Sequence, residues 1–175
     1  VGLEFSVTAL SLQCDCGGPY KPMKNPLIDW MVARGRTRFG VRPYARSDGL
    51  RPVIRETKAG RVMIYLADED LGAAHSVFAP FFAEPKATIP ILSRLAKRCE
   101  ADVFPVTSCY DIERKKYIIH VYAGLAGFEH HDEQASAIKM NQAIEHTVLE
   151  CLPQYFWTLR FFKTRPDNGK SVYFN

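Results

Sequence analysis

Three carboxylates, Asp68, Glu69 and Asp70, follow the apolar segment Val62 to Leu66, and Gly72 closes the stretch. Asp and Gly are common turn formers, so these residues can simply mark the place where a buried strand leaves the core. Strand ends in α/β sheets are also where ligands are bound, and carboxylates there can hold a metal, orient a base or pair with a cation. The stretch by itself leaves both interpretations open.

A strongly basic segment lies between Arg34 and Arg61. It carries nine Lys or Arg against two acids, a local net charge of +7, whereas the whole chain has a formal charge of +4. Eight of the nine are Arg, whose planar fork binds phosphate and carboxylate groups through two hydrogen bonds. The segment is therefore either a solvated face or the contact surface for an anionic partner such as a phosphate group, a phospholipid surface or an acidic protein.

The cysteines and histidines predict no metal centre. The five cysteines show no regular framework, which argues against a disulfide scaffold and favours a reducing compartment. Cys14 and Cys16 are separated by one residue, too close for the usual zinc pair, and no second pair follows at zinc-finger spacing. The pair His130-His131 stands among acids and is interpreted as a solvated loop. We expect no metal and no cofactor.

Length and composition describe one globular unit. The chain has 175 residues, of which 47% are apolar and 24% charged, enough to build a core without staples. No apolar run approaches the roughly 20 residues of a membrane-spanning helix. The N-terminus has no signal-peptide pattern, and the absence of an initiator Met suggests that the chain begins inside a longer protein.

Hydrophobic periodicity predicts strands alternating with helices, and hence an α/β sheet with helices packed on it. Asn25 and Pro26 form a typical helix start, and apolar residues at three- and four-residue spacing predict an amphipathic helix from Asp132 to Leu152. The predicted helices are 3–12, 25–35, 50–58, 88–99 and 132–152. The predicted strands are 62–66, 102–107 and 117–122.

The segment from Pro153 to Pro166 is both aromatic and basic. Such interleaving suits nucleic acid, where rings stack on bases and cations meet phosphates. It suits a membrane interface equally, with Tyr and Trp at headgroup depth.

Several segments together resemble the late acyltransferases of bacterial lipid A biosynthesis, in the lysophospholipid acyltransferase superfamily. They occur in the family's order, cover nearly the whole chain, and look most like the lauroyl and myristoyl transferases. Two departures, Ala67 in place of the usual proline and Leu152-Pro-Gln-Tyr155 in place of the usual Pro-Glu-Gln-Tyr, affect loop geometry rather than the implied chemistry. The segments are Asn25-Pro-Leu-Ile-Asp-Trp30, Gly35-Arg-Thr-Arg38, Ala45-Arg-Ser-Asp-Gly49, Tyr65-Leu-Ala-Asp-Glu-Asp-Leu-Gly72, Ser76-Val-Phe-Ala-Pro-Phe-Phe82, Gln154-Tyr-Phe-Trp157 and Phe162-Lys-Thr-Arg-Pro166.

The resemblance implies a fold and a reaction. The fold would be a single glycerol-3-phosphate acyltransferase-like domain over residues 1–175, a mixed sheet flanked by helices and truncated at its N-terminus. The reaction would move an acyl chain from acyl carrier protein to a hydroxyl of a lipid A precursor, at the cytoplasmic face of the bacterial inner membrane. The partners would then be that donor, that acceptor and the membrane surface, with no nucleic acid.

The resemblance also assigns site residues. Glu4 matches the acidic member of the family's His-x4-Asp/Glu motif. The resemblance implies that the motif His falls two residues before Val1 and that a membrane anchor lies further upstream. Glu4, Arg36 and Asp68 are expected to be catalytic. Substrate binding is expected from Arg38, Arg46 and Asp70, whereas Glu69 stands at a variable position and is expected to be solvated.

One consequence is that the 175-residue chain alone should fold in part and transfer no acyl group, because its general base lies upstream. If the chain alone were active, His75 and His120 would be the first alternative bases to test.

Two other functions remain open from the residues themselves. Asp68-Glu69-Asp70 after a strand also fits the Asp-x-Asp pattern with which glycosyltransferases hold a divalent metal and a nucleotide diphosphate. The basic segment also fits a non-enzymatic domain that docks on anionic lipid or nucleic acid. Loss of activity on metal chelation would favour the glycosyltransferase, because the acyltransferase chemistry needs no metal. Charge reversal at Arg51 and Arg55 should abolish the function of a docking domain but only weaken substrate capture by an acyltransferase.

Overall fold

The computed structural model describes residues 2–128, 132–166 and 169–173. Within them, helices and strands alternate along most of the chain, as the sequence predicts. The helices are α1 Leu3–Ser11, α2 Pro26–Thr37, α3 Arg51–Lys58, α4 Ile91–Cys99 and α5 Glu133–Glu150. The strands are β1 Cys16–Tyr20, β2 Arg42–Ala45, β3 Val62–Met63, β4 Val77–Phe81, β5 Glu84–Thr88, β6 Val106–Asp111 and β7 Lys116–Val121.

A small parallel sheet lies in the N-terminal half, in the order β2-β1-β3. Cys16 pairs with Val62, and Gly17 pairs with Arg42. A Cβ atom at Gly17 would collide with the Arg42 carbonyl oxygen, and one at Gly18 would lie 2.7 Å from the Ile64 carbonyl oxygen. The two glycines are therefore required for the close approach of the three strands.

Two antiparallel hairpins complete the strands. β4 pairs with β5, and β6 pairs with β7. The turn of the first hairpin contains Phe82 at φ 52°, and its backbone N–H donates to Glu145 of α5 at 2.6 Å. Helix α5 also places Asn141, fully buried, against this hairpin, where its amide nitrogen donates to the Pro80 carbonyl oxygen at 2.9 Å. These contacts fix the hairpin on α5.

The predicted α/β class is confirmed, but the single mixed sheet is wrong for the described residues, where parallel and antiparallel strands form separate sheets. Three boundaries also differ from the prediction. Residues 84–88 form β5, so α4 begins at Ile91, and the strand predicted at 102–107 lies at Val106–Asp111. The predicted strand 62–66 is reduced to Val62–Met63.

One pair of cysteines is joined, which the sequence analysis did not anticipate. Cys109 of β6 and Cys151, directly after α5, form a disulfide with a Cα–Cα separation of 5.9 Å. Cys14, Cys16 and Cys99 are free. The pairing depends on the packing of α5 beside the β6–β7 hairpin, since the two residues are 42 positions apart.

No helix among the described residues is both long and apolar enough to cross a bilayer. The His130-His131 pair lies outside the described residues, so its interpretation as a solvated loop stays a prediction.

Candidate active site

The ends of α1 and α2 bring Glu4 and Arg36 together, although they are 32 residues apart. The Arg36 Nη2 atom donates to Glu4 Oε1 at 2.5 Å, and Nε lies 3.2 and 3.3 Å from the two carboxylate oxygens. The guanidinium thus grips the carboxylate with two adjacent nitrogens, the geometry in which Arg pairs most strongly. Two of the three predicted catalytic residues therefore form one polar centre.

Helix α1 presents Glu4 because its first turn is fixed on the β6–β7 hairpin. Phe5 stacks on Tyr117 with ring centroids 4.3 Å apart. Gly2, at φ 90°, lies so close to the hairpin that a Cβ would come 2.8 Å from the Ser108 hydroxyl oxygen, so both conformation and space require glycine. A carboxylate in the first turn also interacts favourably with the helix dipole.

Helix α2 presents Arg36 from its last turn, where a cation complements the opposite end of the helix dipole. The helix begins as predicted: the Asn25 side chain accepts from the N–H of Leu27 at 2.9 Å, and Pro26 occupies the first turn. Asp29 then accepts from the N–H of Met23 at 2.8 Å, which holds the preceding loop against the helix. The motif that begins at Asn25 therefore fixes the start of α2.

The Arg36 guanidinium keeps its positive charge. Its hydrogen bond to Glu4 raises the pKa of the guanidinium above its already high value, against an opposing effect of burial. Its side chain is 30% exposed and that of Glu4 is 59% exposed, so the pair opens to solvent. Arg36 Nη1 has no hydrogen bond among the described residues and is free to meet an anionic group of a ligand.

Asp68 lies in a second polar centre, held by the C-terminal part of the chain. The Tyr155 hydroxyl donates to Asp68 Oδ2 at 2.9 Å. Burial, and then the Asp68 carboxylate, raise the pKa of Tyr155, so the phenol stays protonated and keeps donating. In the described part of the chain no hydrogen bond or ion pair joins Asp68 to Glu4 or Arg36.

Asp70 is 7% exposed and its hydrogen bonds are made within the protein. Its carboxylate accepts from the Thr164 N–H and hydroxyl, both at 2.8 Å, and from the Gly72 N–H at 3.0 Å. These bonds tie the loop after β3 to the motif that begins at Phe162. Its predicted part in substrate binding stays a prediction, because the contacts seen here are structural.

The two other predicted substrate-binding residues lie on the surface. Arg46 forms an ion pair with Glu69 at 2.9 Å, so Glu69 is not merely solvated as expected. Such an exposed pair contributes little to stability and can open to receive a ligand. Arg38 lies over the Phe39 ring, with its guanidinium carbon 5.5 Å from the ring centroid.

Three residues of the second centre were given no role from the sequence: Tyr155, Thr164 and Lys86. Tyr155 and Thr164 stand in motifs whose resemblance was noted, so the motifs signalled them without saying what they bind. Lys86 lies on β5 and is fully buried, and its charge is attracted by Asp68 and Asp70. In the sequence, a single lysine between Pro85 and Ala87 does not indicate that its side chain is buried near the aspartates.

The alternative bases lie elsewhere. His75 is exposed in the loop before β4, and the His120 ring of β7 lies 6.4 Å from that of Tyr122. Among the described residues, no group of three or more His, Cys, Asp or Glu is arranged to hold a metal ion.

The two aspartates should respond differently to removal of charge. Asp70→Asn is expected to lower the free energy of unfolding by about 2–3 kcal/mol, because an amide cannot accept all three hydrogen bonds with the strength of a carboxylate. Asp68→Asn keeps an oxygen for Tyr155 and should cost about 1 kcal/mol or less. Urea unfolding of both variants measures the difference. A loss at Asp68 equal to or larger than that at Asp70 would contradict this assignment.

The comparisons with known proteins agree with one another in the family that they indicate. The sequence model of a family described as bacterial lipid A biosynthesis acyltransferase matches residues 1–164. A lipid A biosynthesis acyltransferase of Haemophilus influenzae is 38% identical over 154 residues, 88% of this chain and 48% of the relative. The lipid A biosynthesis myristoyltransferase of Escherichia coli is 38% identical over 141 residues, 81% and 44% of the two chains. The lauroyltransferase of Escherichia coli is 33% identical over 172 residues, 98% and 56%. The chain spans about half the length of the curated relatives it matches.

Proposed function

The chain belongs to the bacterial lipid A biosynthesis acyltransferase family, and on that premise we propose that its protein moves a fatty acyl chain from acyl carrier protein to a hydroxyl of a lipid A precursor. The observation that carries the proposal is the contact between Glu4 and Arg36. Each was assigned to the site separately by resemblance, and they meet in a solvent-accessible pair.

The proposed chemistry needs a base, a partner for that base and a cation. The motif His takes the proton of the acceptor hydroxyl, and the hydroxyl oxygen attacks the thioester carbonyl carbon. Glu4 orients the imidazole and stabilises the imidazolium. The C–S bond then breaks, and the leaving thiolate takes the proton from the imidazolium.

Arg36 has two tasks in this scheme. Its Nε and Nη2 atoms hold the Glu4 carboxylate in a fixed orientation. Its remaining nitrogen, Nη1, donates to the oxyanion that develops on the thioester carbonyl, or to a phosphate of the acceptor. Arg38 and Arg46 extend the positive surface, and opening of the Arg46–Glu69 pair would add a second phosphate contact.

Helix α2 is proposed to meet the bilayer from which the acceptor is drawn. The helix has no buried residue, and Leu27, Trp30 and Met31 are each more than half exposed. Arg34 lies over the Trp30 ring at 5.6 Å. An exposed aromatic and aliphatic surface edged by arginines suits the headgroup region of an anionic membrane.

Charged substitutions on α2 test this surface. Trp30→Asp and Met31→Asp should each weaken binding to phosphatidylglycerol vesicles about tenfold, corresponding to about 1.4 kcal/mol of lost interfacial burial. Ile112→Asp is the matched control, since Ile112 is 78% exposed and lies on the β6–β7 turn rather than on α2. Co-sedimentation measures the binding. Equal binding by all three variants and the wild type would remove α2 from the membrane contact.

The function itself is tested in bacterial cells that lack a late lipid A acyltransferase. Expression of the protein that carries this sequence should increase the mass of lipid A by one fatty acyl group, as measured by mass spectrometry. Unchanged lipid A, with folded protein present in the membrane fraction, would contradict the proposal.

The two alternatives lose their basis. The family is one of acyltransferases, which leaves the glycosyltransferase interpretation without support. The Asp-x-Asp carboxylates are explained by their contacts with Tyr155 and Thr164. A purely lipid-binding domain would have no use for the Glu4–Arg36 pair, whereas charge reversal at Arg51 and Arg55 should weaken capture of the acceptor without abolishing transfer.

A further inference from the structure

Gln154 binds the open edge of strand β6 through its side-chain amide. The Tyr110 N–H donates to Gln154 Oε1 at 2.8 Å, and Gln154 Nε2 donates to the Tyr110 carbonyl oxygen at 2.9 Å. Among the described strands β6 pairs with β7 alone, so its other edge has no strand partner there. A primary amide offers a donor and an acceptor side by side, and it therefore completes this edge as the backbone of a further strand would.

The next residue, Tyr155, holds Asp68. Its hydroxyl donates to Asp68 Oδ2 at 2.9 Å. Its ring stacks on the buried Phe161 ring, with centroids 5.3 Å apart and planes 9° apart. Gln154 fixes the backbone from which the Tyr155 ring extends, so the two amide hydrogen bonds set the place of the hydroxyl relative to the β6–β7 hairpin.

The same hairpin supports α1, the helix that presents Glu4. Tyr110 lies opposite Tyr117 of β7, and the centroids of their rings are 5.1 Å apart. Tyr117 in turn stacks on Phe5, the residue after Glu4. A continuous series of contacts thus joins the first turn of α1 to Gln154.

The two polar centres depend on such supporting contacts for their relative position. In the described part of the chain no hydrogen bond or ion pair joins Asp68 to Glu4 or Arg36. Their separation is therefore set by the elements that carry them. A reacting or charged group misplaced by about 1 Å can lower a rate about 10²-fold.

We propose that Gln154 is a positioning residue for acyl transfer, which fixes the Tyr155–Asp68 centre on the β6–β7 hairpin and thereby relative to Glu4. The inference rests on the proposed function, because Asp68 takes part in a reaction only under that proposal. Gln154 touches no substrate in this account and acts through Tyr155.

The variant Gln154→Met removes both amide hydrogen bonds at nearly constant side-chain length and without a change of charge. The fold should survive, because both bonds are exposed and water can replace the amide. The disulfide between Cys109 and Cys151 also keeps the segment attached to β6. Gln142→Met is the matched control, since Gln142 is an exposed residue of α5.

Steady-state kinetics of the protein that carries this sequence together with the motif His test the role in the reaction. Gln154→Met should lower kcat about 10-fold and change KM less than about twofold, because Asp68 is displaced whereas Arg38 and Arg46 stay in place. Gln142→Met should retain both wild-type values. Wild-type kcat in Gln154→Met, or a loss confined to KM, would overturn the proposal.

A double-mutant cycle tests whether Gln154 acts through Tyr155. Tyr155→Phe removes the hydroxyl that binds Asp68 and should lower kcat at least as much as Gln154→Met. Adding Gln154→Met to Tyr155→Phe should then lower kcat no further. Wild-type kcat in Tyr155→Phe, or losses that multiply in the double variant, would contradict the inference. If Gln154→Met does not fold, Gln154→Glu, which keeps the acceptor for the Tyr110 N–H, takes its place in both comparisons.

Ionisation of Tyr155 gives a second readout that needs no reaction. Burial, and then the Asp68 carboxylate, raise the pKa of Tyr155, so its phenol stays protonated when exposed tyrosines ionise at about pH 10. Release of Tyr155 in Gln154→Met should lower that pKa, and near-ultraviolet absorbance should show more phenolate at about pH 10 than in the wild type. The gain should disappear when Tyr155→Phe is added. If Phe161 alone held the ring, the titration curves of the wild type and Gln154→Met would coincide, which would overturn the proposal.

Failure of this inference differs from failure of the proposed function. If the wild type transfers no acyl group, the proposed function fails, and the tyrosine titration still decides whether Gln154 holds Tyr155 on Asp68. If the wild type is active and Gln154→Met is equally active, only the role of Gln154 is lost.

Discussion

Replacing Glu4 by alanine should lower kcat/KM for acyl transfer ~10²- to 10⁴-fold, the usual contribution of assistance by a positioned acid or base. The reason is that the motif His would lose the carboxylate that fixes its orientation, and Arg36 would lose its anchor. The effect is expected in the protein that carries this sequence together with the motif His. Steady-state kinetics with acyl carrier protein thioester as donor measures it.

Glu113→Ala is the matched control for Glu4→Ala, since Glu113 is an exposed acid in the β6–β7 turn. Its kcat/KM should equal that of the wild type. Glu4→Gln separates charge from shape, because glutamine keeps an acceptor oxygen for Arg36. Full activity in Glu4→Gln would show that the negative charge is dispensable and would contradict the role given to Glu4.

Replacing Arg36 by alanine should lower kcat/KM ~10²- to 10³-fold, the scale of losing one oxyanion contact. The fold should survive, because α2 has no buried residue and the Arg36 side chain is 30% exposed. Thermal unfolding and kinetics on the same preparation measure the two effects separately.

Arg34→Ala is the matched control for Arg36→Ala. Arg34 lies on the same helix turn but over the Trp30 ring, whereas the ion pair with Glu4 is made by Arg36. Its removal should affect vesicle binding more than kcat. Equal losses of kcat in the two arginine variants would mean that the positive surface acts as a whole and that Arg36 has no special place.

The start of α2 was predictable because its cause is local. An Asn cap followed by Pro in the first turn specifies a helix start within three residues, and the side chain of Asn25 makes the expected bonds. The three- and four-residue spacing of apolar residues likewise predicted α5, in which Ala137, Met140 and Val148 are buried.

β1 was missed because its residues oppose strand propensity. Cys16–Tyr20 contains two glycines and a proline, which are depleted in strands. The two glycines are required by tertiary packing, because Gly17 and Gly18 allow β2 and the chain after β3 to come close to β1 on either side. The β4–β5 hairpin was missed for a similar reason: Pro80 and Pro85 stand opposite each other, and its turn uses Phe82 at a positive φ instead of glycine.

The sequence alone could suggest candidate site residues but not their contacts. Motif resemblance assigned Glu4, Arg36 and Asp68 to the proposed site, and their chemical roles stay predictions, whereas sequence separation hid the partners with which they pair. The Tyr155–Asp68 bond spans 87 positions and the Glu4–Arg36 pair spans 32. Lys86 could not be singled out from the sequence, because its unusual feature is a buried amine without a hydrogen-bond partner in the described structure, which depends on how the chain packs.

The central claim is that the centre formed by Glu4 and Arg36 transfers an acyl chain to a lipid A precursor. The most direct measurement is transfer of a radiolabelled acyl group from acyl carrier protein to that precursor, by the wild-type protein, Arg36→Ala and Arg34→Ala. The account predicts labelled, more highly acylated product with the wild type and Arg34→Ala, and a rate ~10²- to 10³-fold lower with Arg36→Ala. No labelled product with folded wild-type protein, or equal rates with Arg36→Ala and the wild type, would contradict it.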